Sequence, residues 1–335
     1  MFEGIIGHEF QRNILLRAAR DNVVSHSYLF AGPDGVGKKL IALEFAKLLN
    51  CMAAARESVQ GCGCVSCTKI GKGIHPDVAL VEFTGVKNIK VDQIREEIEE
   101  KIYLRPFEGR YKVVIVNESE RMNLSAQNAF LKTLEEPPPD SLIILVSSRP
   151  ESLLDTLKSR CQIIEFHALP GELIEGVLRE RGGMSSEDAA LSARLSGGSL
   201  GKALSYDRDI IEWRKELISM LGNLRRNSAS DVLRLSEHIS SGGTQDAPDR
   251  LDLGFRFVLL WLRDLALAKI GSGDPTNSDL GESIRTAALK WDINNLLEMA
   301  RQVEKAWYDI VRANANAKLV LENLFLKLAG PPGMN

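Results

Sequence analysis

The stretch GPDGVGKK, Gly32 to Lys39, has the residue types of a phosphate-binding loop. Gly32, Gly35 and Gly37 allow the backbone to curl so that its N–H groups converge on an anion, and Lys38 would reach the terminal phosphate oxygens. The last position wants a Ser or Thr hydroxyl for Mg²⁺ and carries Lys39 instead. A second position departs in the same way. In phosphoryl-transfer enzymes of this type a buried strand ends in an Asp that holds the metal, whereas KVVIVNE ends in Asn117. Glu118 stands where a base would orient water; the plainer reading is a solvated carboxylate. Two losses on one ion predict a loop that keeps its shape without hydrolysis, with ATP binding weak or absent.

Four of the five cysteines, Cys51, Cys62, Cys64 and Cys67, fall within one short segment. In a chain without an export signal such a cluster points to metal before disulfides, and four thiolates suit a closed tetrahedral zinc site. The spacing is irregular, so a degraded site is the alternative; Gly61 and Gly63 are expected to permit the unusual backbone that one ion would require. His75 follows the cluster, but four thiolates already fill a zinc shell, which leaves it a turn or packing role. Cys161 reads as a small buried residue. His8, His26, His167 and His238 form no motif. Arg160, in TLKSRC, reads from spacing alone as a charge on a helix dipole.

The elements around these residues alternate. SYLFAG, DVALVEF, KVVIVNE and SLIILVSS are strand-like. KLIALEFAKLLNC (with Leu40, Leu43, Phe45, Leu48 and Leu49 at helical spacing), VDQIREEIEEKIYL and SAQNAFLKTLEE are helix-like. Ser125 is the expected N-cap of the last, and Pro137 to Pro139 stop it. This predicts an α/β domain with a mainly parallel sheet covered by helices on both faces. Beyond Phe166 the pattern is helical: a small domain broken by glycines, then long helices separated by the polar loops SSGGTQDAPD and GSGDPTNSD. Trp261, Trp291 and Trp307 read as mostly core. The expected divisions are 1–166 with the cysteine insert 51–67, 167–206, and 207–335.

The chain has 335 residues, 42 basic against 45 acidic, and a net charge of −3. That balance excludes attachment to nucleic acid through bulk charge and leaves only a local patch. Lys87, Lys90 and Arg95 are the candidates, diluted by Glu96, Glu97, Glu99 and Glu100. MFEGIIGHEF does not read as a signal peptide, and the apolar run FVLLWL ends at Arg263, so no membrane association is expected and the cytoplasm is the expected location.

Together SYLFAGPDGVGKK, the cysteine cluster followed by GIHPDV, IKVDQIREEI, YKVVIVNESERMN, AQNAFLKTLEEPP and SRCQIIEF resemble the subunits of the bacterial DNA polymerase III clamp loader, an AAA+ assembly. The resemblance implies an AAA+ domain, a small helical lid and an all-α collar through which five subunits form a ring. It implies that Arg160 is an arginine finger reaching a neighbour's nucleotide. It also implies a structural zinc module on Cys51, Cys62, Cys64 and Cys67, and helices near Lys87 to Arg95 that track a duplex backbone. Motor subunits of the family, gamma or tau, keep Thr in the loop, Asp at the strand end and an Arg that senses nucleotide in the small domain. Here those positions are Lys39, Asn117 and Gly201, with Lys202 one residue late. The implied role is a non-hydrolysing stator that works with gamma/tau and delta in a hetero-pentamer, loading the sliding clamp onto primer-template DNA as part of the polymerase III holoenzyme. Two rival readings are an active motor subunit and a stand-alone AAA+ DNA-remodelling ATPase.

Overall fold

A computed structural model describes residues 4–53, 62–82, 98, 100–225, 228–240, 250–311 and 313–329. The five strands are β1 (Ser27–Ala31), β2 (Val78–Val81), β3 (Lys112–Val116), β4 (Ser141–Ser147) and β5 (Gln162–Glu165). They form one parallel sheet in the order β2-β3-β4-β1-β5. The runs β1, β3 and β4 are buried at every residue, as strands covered on both faces must be, while β5 at the edge buries only Ile164.

Side chains alternate across the sheet. Tyr28, Phe30, Val113, Ile115 and Ile144 enter one core with Leu15 of α1 (Glu9–Arg20), Ile41 and Phe45 of α2 (Lys38–Asn50) and Ile70 of α3 (Val65–Gly71). Leu29, Val114, Val116, Ile143 and Leu145 enter the other with Ile102 of α4 (Glu100–Ile102), Phe130 and Leu134 of α5 (Leu124–Glu135) and Leu157 of α6 (Asp155–Lys158). The period of two along each strand therefore sorts one segment's residues between two hydrophobic layers.

Two local expectations are corrected. The N-cap of α5 is Asn123, whose Oδ1 accepts from Ala126 N–H at 2.7 Å, so the helix starts before Ser125. Leu40 is exposed, because the buried stripe of α2 runs through Ile41, Ala42, Phe45, Ala46, Leu48 and Leu49.

The rest is helical: α7 (Gly171–Glu180), α8 (Ser186–Ser196), α9 (Leu200–Ser205), α10 (Arg208–Gly222), α11 (Ala229–Ser240), α12 (Arg250–Ile270), α13 (Gly281–Ala288), α14 (Ile293–Val311) and α15 (Ala317–Leu328). The chain groups into two compact units, Met1–Ile174 with Gly198–Gly201, and Glu175–Gly197 with Lys202–Asn335. In the second, Leu217, Leu235, Phe257, Trp261, Leu265, Val303 and Phe325 form the core. Trp261 and Trp291 are buried, while Trp307 is half-exposed and donates to Asp252 Oδ1 at 2.8 Å. The polar loop after α12 is pinned rather than loose: fully buried Asp264 accepts from Thr276 N–H at 2.9 Å and from Asn277 N–H at 2.8 Å. Among the described residues no helix is long and apolar enough to cross a membrane.

Candidate phosphate loop, finger motif and metal centre

The glycine loop leaves the carboxyl end of β1 and enters α2, the edge of a parallel sheet at which ligands bind. Gly32 has φ 147°, and a Cβ there would lie 2.1 Å from the Phe166 carbonyl oxygen, so no other residue fits. Gly37, φ 107°, caps α2. Lys38 is buried, and its ammonium donates to the loop's own carbonyls, Gly32 O at 2.6 Å and Pro33 O at 2.5 Å.

Two residues brace this loop. His8 Nε2 donates to Val36 O at 2.9 Å, with the imidazole set edge-on to Phe166. Burial lowers the His8 pKa below its usual 6.5, although the Val36 carbonyl pulls the other way, which favours the neutral ring. Gly201 N–H donates to Gly35 O at 2.8 Å, and a Cβ on Gly201 would come within 3.1 Å of that oxygen. Gly201 is thus packed directly on the loop backbone. No sequence pattern marked His8; its isolated place between Gly7 and Glu9 gave no periodicity to read.

Lys39 and Asn117 converge on one carboxylate. Lys39 Nζ lies 2.9 Å from Glu82 Oε1, and Asn117 Nδ2 donates to the same oxygen at 3.4 Å. Glu82, directly after β2, was not singled out by sequence, since only the pairing of β2 with β3 brings it beside Asn117. Glu118 takes a left-handed backbone, φ 52°, and pairs with Arg121 at 2.8 Å.

Arg160 follows α6. Its carbonyl accepts from Ser27 Oγ on β1 at 2.6 Å, which fixes the backbone to the sheet. Its guanidinium donates to Thr156 O at 2.7 Å and to Glu135 Oε1 at 2.5 Å. Cys161 is partly buried against the α5 core, and burial pushes its thiol up to about 11.

The sulfurs of Cys51, Cys62, Cys64 and Cys67 all lie within 4.8 Å of one another. A tetrahedral zinc–thiolate shell, with bonds of roughly 2.3 Å, sets sulfurs on the order of 3.8 Å apart, so the donor set fits. Cys51 ends α2, Cys64 caps α3, and Cys67 lies in its first turn; the Cys51 and Cys62 sulfurs are 3.6 Å apart. Gly63 does not take a positive φ, so the expected backbone freedom is not used there, and Gly61 lies outside the described residues. Burial opposes ionisation of Cys64, but the Cys67 and Met52 N–H groups and the adjacent thiols outweigh it and bring its pKa to about 6. Burial first, then neighbouring Cys64 and Cys51, raises Cys67. His75 stays outside the cluster. Its Nδ1 accepts from Asp77 N–H at 3.0 Å, and its Nε2 lies 3.1 Å from Ser66 Oγ. Lys87, Lys90 and Arg95 lie outside the described residues.

The family model described as "DNA polymerase III, delta subunit" matches residues 7–170. The delta' subunit of DNA polymerase III from Bacillus subtilis is 29% identical over 320 residues, which cover 94% of each chain. The delta' subunit from Pseudomonas aeruginosa is 37% identical over 179 residues, 52% of this chain and 53% of that one. The tau subunit of Bacillus subtilis is 30% identical over 342 residues, 91% of this chain, which spans only 58% of tau. Among solved structures, a gamma subunit-related protein of Thermotoga maritima aligns over 95% of this chain and 98% of its own, at 22% identity and a TM-score of 0.48.

Proposed function

Since the chain belongs to the delta-prime family of DNA polymerase III subunits, related to the gamma/tau clamp-loader subunits, we propose that it is the non-hydrolysing stator of a clamp loader. It would stand with gamma/tau and delta subunits in a hetero-pentamer in the cytoplasm and take part in loading a sliding clamp onto primed DNA. The proposed division of labour follows the sequence: residues 1–166 as the AAA+ domain, 167–206 as the lid and 207–335 as the collar.

The observation that carries this reading is the shared attachment of Lys39 and Asn117 to Glu82. Mg²⁺ bridges β- and γ-phosphate oxygens in hydrolysing loops and is held by a hydroxyl and an Asp. Here an ammonium and an amide stand in those places, both engaged by one carboxylate. Lys38, the residue that would reach the phosphates, is already bonded to Gly32 and Pro33. An active motor would have to hold Mg²⁺ without the loop hydroxyl and without the strand-end Asp, beside a Glu82 carboxylate already paired with the Lys39 ammonium.

Arg160 would act in trans. Presented at the ring interface, its guanidinium stabilises charge on the phosphoryl oxygens of a neighbour's ATP, a contribution of about 10³ to 10⁵ in rate where such a finger operates. The four cysteines would hold Zn²⁺ as a tie between the end of α2 and the start of α3, with no open position for chemistry.

The test is Arg160→Ala in the reconstituted loader, with assembly followed by light scattering. ATP turnover is expected to fall at least tenfold while the assembly stays intact. Unchanged turnover in an intact assembly removes the finger role.

A further inference from the structure

We propose that Glu135 is the positioning residue of Arg160: in the free chain it holds the guanidinium folded back, and its release governs how readily the finger meets a phosphate. The proposal rests on the finger reading above.

Glu135 is the last residue of α5, and Glu136 follows it as the cap. The end of a helix carries a partial negative charge from its free carbonyls, so a carboxylate there is unfavourable unless a cation accompanies it. Arg160 is that cation. Its Nη2 lies 2.5 Å from Glu135 Oε1 while Nη1 bonds Thr156 O. Carboxylate and phosphate bind guanidinium through the same N–H fork, so Glu135 and an incoming phosphate compete for one donor set.

Two features make the contact a latch. The backbone of Arg160 is fixed by Ser27 Oγ, and Leu157 of the same turn is buried, so extension of the finger needs only side-chain rotation. The pair itself is a third to a half exposed, 33% for Arg160 and 50% for Glu135. Pairs with that access to water shift an equilibrium by only about two- to five-fold. Such a contact neutralises the guanidinium between partners and yields to a polyphosphate, whose charge is larger.

Glu135→Gln keeps the shape and removes the charge at a half-exposed site, so the fold tolerates it. In the reconstituted loader, kcat for ATP is expected to rise about two- to five-fold, with KM unchanged. On an Arg160→Ala background the same substitution is expected to change nothing. In the isolated chain, nuclear magnetic resonance of the Arg160 guanidinium is expected to show faster hydrogen exchange in Glu135→Gln than in the parent. If Arg160→Ala lowers turnover while Glu135→Gln leaves it unchanged or lowers it, Glu135 is no restraint and the proposal falls alone. If Arg160→Ala has no effect, the finger reading falls and takes this proposal with it. Equal exchange rates in the two isolated chains would show that the latch does not exist in solution.

Discussion

Lys39 and Glu82 form an ion pair of 2.9 Å that joins the first turn of α2 to the residue after β2. Asn117, at the end of β3, donates to the same carboxylate oxygen. One positive charge and one amide thereby share a single carboxylate at the mouth of the glycine loop.

Restoring those two positions should restore metal dependence. The pair is exposed at both ends and contributes at most about 1 kcal/mol, so Lys39→Thr with Asn117→Asp should fold. The parent is expected to bind a non-hydrolysable ATP analogue weakly or not at all, with no response to Mg²⁺. The double variant is expected to bind at least about tenfold more tightly with Mg²⁺ than without, about 1.4 kcal/mol. Calorimetric titration decides it; tight Mg²⁺-dependent binding by the parent would return the chain to the motor class.

The loop glycines separate strain from collision. At Gly32 a Cβ would sit 2.1 Å from the Phe166 carbonyl oxygen, an atom of the backbone that cannot swing aside. At Gly37 nothing lies within 4 Å, and only the positive φ of 107° opposes a side chain. Gly37→Ala should therefore cost about 1–2 kcal/mol, and Gly32→Ala clearly more, about 3 kcal/mol or above. Urea unfolding of the two variants gives the order, and equal losses would mean that the backbone around Phe166 relaxes freely.

Acid should weaken the sheet unit in two separate windows. Burial lowers the pKa of His8, and burial likewise lowers His75 against the opposing pull of Glu108 and Asp77. The unfolded chain therefore binds more protons than the folded one as pH falls below about 6.5. This stability is complete above that pH and is lost below it, with a slope of at most about 1.4 kcal/mol per pH unit for each ring. Asp77 behaves separately: burial would raise its pKa, but the Phe107, Glu108 and Gly109 N–H groups outweigh burial and lower it. Its contribution persists above about 3.8 and disappears as pH falls further. Denaturant midpoints at pH 7.5, 6.5 and 5.5 should slope less in His8→Gln and in His75→Gln than in the parent. Parallel slopes would exclude both rings as the source.

What could be read without coordinates divides along physical lines. KVVIVNE and SLIILVSS announce buried parallel strands because their apolar content is continuous, and they lie in the sheet as β3 and β4. Lys39 and Asn117 could be marked as departures, since a loop and a strand end have local signatures. Glu82 and Glu135 could not, because each acquires its partner across the fold, from α2 and β3 or from the turn after α6. His8 stayed hidden for the same reason: its acceptor, Val36, is fixed by the loop it supports. By residue type Ser125 and Asn123 are equally good caps, and only the backbone decides for Asn123.

The cysteine cluster shows why irregular spacing does not by itself exclude a metal. Cys64 and Cys67 are set three apart by α3, and Cys51 is set by the end of α2, so these helices bring three of the four sulfurs together whatever the length of the segment from 54 to 61. Neighbouring N–H groups and thiols lower the Cys64 pKa, to about 6, which favours the thiolate form that zinc binding requires. The purified chain is expected to carry one Zn²⁺, to lose it in Cys64→Ser, and to keep it in Cys161→Ser. Removing the ion with a chelator should lower the melting temperature by about 5 °C or more, since a tie worth a few kcal/mol moves a domain of this size by that amount. Metal analysis and thermal scans measure both. A chain that neither carries zinc nor gains stability when zinc is added would mean that the four sulfurs form a degraded site.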